Sequence, residues 1–261
     1  MIIASGYTDK GLVRPANEDN WISCEPSPSS KSFFAIVADG MGGHNAGEIA
    51  SKIATTLISD FINKNYSDDL SYDELKAMLL TATELANKEI LDESKKSIKK
   101  AGMGTTLVLC FITENRVIAL HVGDSRVYLI RNNTIHRITK DHSLVQELVS
   151  QGTITEEEAV NHPQKNIITR ALGTDIKVDV DVLEFDSKDE DILILCSDGL
   201  SNVLCDTEIK QTVIDSENVI IAPKNLVDRA NENGGPDNIT AVVLKIADLI
   251  TKNEEGMKEN E

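Results

Sequence analysis

The chain has 261 residues, 43 of them acidic and 26 basic, so its formal net charge is 26 − 43 = −17. This balance argues against general nucleic-acid binding, which needs Lys and Arg against phosphates, but leaves room for a phosphate-processing site whose bound cations reverse the local sign. A chain this long, 41% hydrophobic, can bury a core without disulfide or zinc staples, and no run approaches the ~20 apolar residues that a bilayer span requires.

In chain order, Met1–Gly6 lacks a basic region followed by a long apolar stretch, so the protein is read as cytoplasmic, with no membrane partner. Phe33–Ala38 is short, apolar and rich in β-branched residues, which predicts a buried strand. From Ala46 to about Asn63, the residues Ile49, Ala50, Ile53, Ala54, Leu57, Ile58, Phe61 and Ile62 recur at helical spacing and form one broad stripe. Ser71 and Glu74 form a capping-box pattern. The helix behind it has Leu75, Met78, Leu79, Ala82, Leu85, Ala86 and Ile90 on one face.

Thr106–Ile112 and Val117–Val122 read as strands joined at Glu114-Asn115, and Asn132-Asn133 separates Val127–Ile130 from Ile135–Ile138 as a second hairpin. Ser143 to about Val160 reads as short helices broken at Gly152, with Ser143 as N-cap and Asn161-His162-Pro163 as the stop. Ile192–Cys196 and Thr240–Ile246 are further strands, and a polar tail follows Ala247. Cys110 and Cys196 lie in apolar runs and read as small buried residues. Near-continuous hydrophobicity in the strands predicts sheets covered on both faces, hence an α+β layered sandwich instead of a βαβ parallel sheet.

Acidic residues recur where these strands meet loops. Asp39 follows Phe33–Ala38, Asp124 follows Val117–Gly123, and Asp198 follows Ile192–Ser197. Asp237 precedes Asn238–Ile246, and Glu18-Asp19 precedes Trp21-Ile22-Ser23. Taken singly, each suits a turn, since Asp and Gly are common there. Taken together at one edge they would repel one another, and divalent cations would relieve that repulsion. Oxygen-only ligands favour magnesium or manganese over zinc. Arg14 offers a planar fork for phosphate oxygens. Its alternative is a surface salt bridge with Glu18, but Pro15 disfavours a helix that would align the two.

Two other phosphate motifs fail. The turn after Gly40 has Asn45 where GxGxxG needs its last Gly, and Glu48 follows Gly47 where a P-loop needs Lys. Cys110 and Arg116 have the spacing of a thiol phosphatase, but the interval contains Glu114 and reads as a hairpin.

Six elements stand in the order known from the protein phosphatase 2C family, and the chain resembles its bacterial branch. They are Thr8–Asp19, Val37–His44, Gly102–Thr106, Val122–Arg126, Ser197–Leu200 and Gly235–Thr240, and the resemblance runs from about Tyr7 to Ile246. It implies a central β-sandwich of two mainly antiparallel sheets flanked by helices (α-β-β-α), forming one catalytic domain over residues 1–247. A short helical flap over about 144–165 would influence substrate choice, and a polar tail would occupy 248–261.

It implies two Mn2+ or Mg2+ ions, with a third in bacterial members. Asp39 would bridge two metals, the Gly40 carbonyl would bind one, and Asp198 and Asp237 would complete the other. Glu18 and Asp19 would act through metal-bound water, Asp124 with Asp198 would support the third ion, and Asn238 would stand behind the ligands. Arg14 would hold the substrate phosphate, and a bridging hydroxide would attack phosphorus in line. One departure stands out: where many eukaryotic members have a His after Asp-Gly, this chain has Met41. His44 is then the candidate general acid, with helix capping near Ala46 as its alternative.

The implied function is a serine/threonine phosphatase acting on phosphorylated proteins and opposing a serine/threonine kinase in signal transduction, as a monomer. The alternatives are a catalytically silent phosphoprotein-binding pseudophosphatase, against which the retained Asp39, Asp198 and Asp237 count, and a metal-dependent nuclease, against which the charge counts.

Overall fold

A computed structural model describes residues 1–27, 30–43 and 46–247. The elements in order are β1 (Ile2–Asp9), β2 (Asp19–Cys24), β3 (Phe33–Met41), α1 (Ala46–Asn65), α2 (Tyr72–Ser94), β4 (Gly104–Thr105), β5 (Leu107–Ile112), β6 (Arg116–Val122), β7 (Arg126–Arg131) and β8 (Thr134–Arg137). Then come α3 (Leu144–Ser150), α4 (Glu156–Val160), β9 (Asp181–Asp186), β10 (Ile192–Cys196), α5 (Asp198–Ser201), α6 (Asp206–Asp215), α7 (Ala222–Glu232) and β11 (Ile239–Ile246).

One sheet runs β1-β11-β10-β7-β8 and the other β2-β3-β5-β6-β9, with β4 beside β3. Every pairing between these strands is antiparallel. Alternation along a single strand explains the layering. Phe34, Ile36 and Ala38 of β3 pack with the stripes of α1 and α2. Ala35 and Val37 turn the other way and meet Val127, Leu195 and Val242 of the opposite sheet. That sheet's outer face carries Tyr128, Ile194 and Val243, which pack on Ile209 of α6 and Leu226 of α7. The strand runs read as continuously apolar because both faces are covered, which conceals the period of two.

The anticipated hairpin at Asn132-Asn133 has φ of 51° and 59°, the left-handed pair that a two-residue turn between twisted strands requires. Ser71 and Glu74 close their capping box, and Ser143 caps α3. Leu85 departs from expectation, since it is 41% exposed. Thr83 and Asn87 are buried in its stead; Asn87 accepts from Gly173 N–H at 2.7 Å and donates to Asp175 O at 3.0 Å. The α3–α4 excursion leaves and rejoins the body at one place, where Ser143 bridges Ile168. The tail 248–261 lies outside the described residues.

Candidate metal centre

The antiparallel pairing of β2 with β3 sets Asp19 opposite Asp39. In the other sheet, Ser197 N–H donates to Thr240 O at 3.1 Å just beyond the paired ends of β10 and β11, which brings Asp198 beside Asp237. Asp124 sits in the short turn by which the chain crosses from β6 in one sheet to β7 in the other. The five aspartates therefore come from both sheets and meet at one edge of the sandwich.

Two glycines permit this convergence. A Cβ on Gly40 would lie 2.1 Å from Gly47 O, and one on Gly199 would lie 1.9 Å from Asn238 O. Backbone segments approach too closely there for any other residue.

The electrostatics are severe. Burial raises Asp39 well above the ordinary carboxylate range, and the charges of Asp19, Asp198, Asp124 and Asp237 raise it further. Burial, then Asp198 and Asp237, push Asp19 up to about 7 against the pull of two hydroxyl donors. Burial, then Asp198 and Asp141, push Asp124 up to about 8. Asp198 is raised by burial and by Asp237, partly offset by a side-chain hydrogen bond with Asp39. Glu18 is raised by burial. Carboxylates in this state prefer protons or cations to solitude.

Hydroxyls and amides hold the acids in place. Ser197 Oγ and Thr240 Oγ1 donate to Asp19 Oδ2 at 2.7 and 2.6 Å, which ties β2 of one sheet to β10 and β11 of the other. Thr106 Oγ1 accepts from Asp39 N–H at 2.9 Å and lies 2.7 Å from Ser125 Oγ. Asn238 accepts from Glu18 N–H at 2.8 Å and donates to Lys10 O and Ala16 O at 2.9 and 2.8 Å, locking the 10–18 loop over the pocket. Arg14 Nη2 lies 2.7 Å from Asp237 Oδ2, so its partner is not the Glu18 of the helical alternative. Gly40 pairs with Thr105 at the end of β3. His44 lies outside the described residues.

The donor set fits hard divalent ions. It consists of oxygens, and two buried ones, Asp19 Oδ1 and Glu18 Oε1, have no hydrogen-bond partner among the described residues. The hydroxyl supports Ser197, Thr240 and Thr106 were not singled out from sequence. Their signal is weak, because Ser and Thr within strands are ordinary; only the position of Ser197 next to Asp198 and of Thr240 two residues after Asn238 hints at a role.

The sequence model of the protein phosphatase 2C family matches residues 16–227. The serine/threonine phosphatase stp of Listeria monocytogenes serotype 4b (strain F2365) is 40% identical over 249 residues, covering 95% of this chain and 97% of its own. The S. agalactiae serine/threonine phosphatase structure superposes with a TM-score of 0.88 at 36% identity, over 94% of this chain and 100% of that one. The catalytic domain of the serine/threonine phosphatase PstP, in complex with 2 manganese ions, gives a TM-score of 0.82 at 34% identity, covering 95% and 99%.

Proposed function

The chain belongs to the protein phosphatase 2C family and is a metal-dependent protein serine/threonine phosphatase; we propose that its five converging aspartates hold the Mn2+ or Mg2+ ions and that Arg14 receives the phosphate. One observation carries the assignment of residues. Asp19, Asp39, Asp124 and Asp198 share one edge with raised proton affinities, and buried carboxylate oxygens there lack partners.

Bound divalent cations supply a water ionisable near neutral pH and offset charge on the phosphoryl oxygens. The chain's own residues do the rest. Asp39, which faces Asp19 and hydrogen-bonds with Asp198, would hold the ions together with the Gly40 carbonyl. Asp198 and Asp237 would hold one ion, and Asp124 with Asp198 would hold a further, weaker one. Glu18 and Asp19 would act through water on the ions, with Asp19 aimed by Ser197 and Thr240. Asn238 keeps the 10–18 loop, and hence Arg14, against the pocket. Arg14 presents its planar fork to two phosphate oxygens, a match that a lysine point charge cannot reproduce. His44 stays a proposal for protonating the leaving alkoxide.

We read residues 1–247 as one catalytic domain and 144–165 as the flap that biases substrate choice. The substrates would be phosphoproteins of a serine/threonine kinase pathway, met by a monomer in the cytoplasm. Among the described residues no helix is long and apolar enough to cross a membrane. The test is direct: purified protein with Mn2+ should hydrolyse p-nitrophenyl phosphate and a phosphothreonine peptide, lose both activities in EDTA, and regain them with added Mn2+. Turnover that persists after chelation would refute the reading, as would substantial activity in Asp39→Ala.

A further inference from the structure

A second polar cluster lies where the α3–α4 excursion leaves the body. His121, His142 and Asp181 each bring a ligand-type atom within 4.8 Å of the others, and the two imidazole rings are 4.5 Å apart. His121 follows Val117 and Ala119 on the inter-sheet face of β6 and is fully buried. Neither of its ring nitrogens has a hydrogen-bond partner among the described residues. Such a trio invites a transition-metal reading.

The hydrogen bonds of His142 oppose that reading. Gly123 donates its amide to His142 Nδ1 at 3.1 Å, so Nδ1 uses the single lone pair of a neutral imidazole. Nε2 therefore carries the proton and faces Asp181 Oδ2 at 3.1 Å. No lone pair remains for an ion. Arg170 Nη1, 3.0 Å from the other Asp181 oxygen, adds a positive charge that would repel one.

The same bonds have a positional consequence. The His142 amide also donates to Gly123 O at 2.8 Å, so one residue grips both backbone groups of Gly123. The next residue is Asp124. Gly123 has φ of +106°, and a Cβ there would lie 2.6 Å from Thr106 Cγ2, so the turn has no slack of its own to spend. On its other side the His142 carbonyl accepts from Thr169 N–H at 2.8 Å, on the segment returning from the excursion.

We propose that His142 is a positioning residue: through its double grip on Gly123 it aims the Asp124 carboxylate, while Asp181, itself paired with Arg170, holds the ring in the required tautomer. This inference rests on the metal-dependent reading and on Asp124 serving the weakest cation site.

Two conservative variants separate the contacts. In His142→Asn the side-chain oxygen replaces Nδ1 and keeps the Gly123 bond. In His142→Gln the terminal amide replaces Nε2 and keeps the Asp181 contact, while the side-chain half of the grip on Gly123 is lost. The full chain is stripped with EDTA and titrated with Mn2+, and free ion is counted by electron paramagnetic resonance, a readout independent of turnover. His142→Gln should weaken the weakest Mn2+ site about tenfold and leave the tighter ions unchanged, while His142→Asn stays within about twofold of the unsubstituted protein. Equal affinities in all three proteins would overturn the inference, as would equal weakening in both variants. Absence of a third, weaker ion in the unsubstituted protein would also overturn it while leaving the phosphatase reading intact. A chain that binds no Mn2+ at all would defeat that reading instead.

Discussion

Arg14 is half-exposed, its guanidinium anchored to Asp237 at 2.7 Å and its loop held by Asn238. A hydrogen bond to a charged group contributes about 1.5–3 kcal/mol, so Arg14→Ala should lower kcat/KM about 10- to 100-fold, chiefly through KM. Arg14→Lys should recover only part of that, since a point charge does not match two phosphate oxygens; steady-state kinetics on a phosphopeptide distinguishes the two. The hydroxyls beneath Asp19 act differently. Thr240→Val removes a 2.6 Å donor from a carboxylate whose other side-chain donor among the described residues is Ser197. Its expected effect is a fall in Mn2+ affinity of about tenfold with kcat at saturating metal changed far less, read from the metal dependence of the rate.

Residue by residue, the acids were legible in the sequence because their placement at strand ends is unusual when repeated. Their supports were not. Thr106, Ser197 and Thr240 belong to runs that read as strand, and only pairing across both sheets reveals where their hydroxyls point. His142 read as a residue before a helix start, since a sequence separation of 19 from Gly123 conceals their contact.

At the level of elements, periodicity was legible where one face dominates, as in α1 and α2, and where a run is apolar throughout, as in β3, β5 and β6. Of the strands that escaped notice, β1 and β9 did so for opposite reasons. β1 mixes Ala4, Ser5, Gly6 and Thr8 at an edge, where burial is partial and neither pattern is strong. β9 carries three acids in six residues, Asp181, Glu184 and Asp186, as an edge strand does to discourage pairing with another chain. Leu85 was misplaced because Thr83 and Asn87 hold the buried side by hydrogen bonding, which apolar periodicity cannot register. The capping box of α2 lies far from the pocket in sequence and in role. Ser71→Ala should cost about 1 kcal/mol and lower Tm by a few degrees. Calorimetry should record that loss while phosphatase activity at a temperature well below Tm stays unaltered.

For the molecule as a whole, the acidic edge makes stability depend on pH with a defined sign. Asp19 and Asp124 have folded-state values of about 7 and about 8, above those of an unfolded chain. The folded state binds these protons more tightly, so their contribution is fully present below the ordinary carboxylate range and is lost as pH rises through 7 and 8. Metal-stripped protein should therefore melt at progressively lower temperature between about pH 5 and pH 8, and added Mn2+ should raise Tm more at the alkaline end. Thermal scans with and without EDTA check both statements; a Tm that climbs across that interval in the stripped protein would contradict them.

The bond from Asp19 to Ser197 and Thr240 joins strands that otherwise belong to separate layers. On the proposed assignment, cations gathered at that seam would act as rivets, so sequestering them should loosen the seam mechanically as well as halt turnover. Deuterium uptake would then quicken at the amides of Asp19, Asp39 and Thr240 in EDTA while the helix-covered middle of β5 stays protected. The two layers would part first at the place where the chemistry is done.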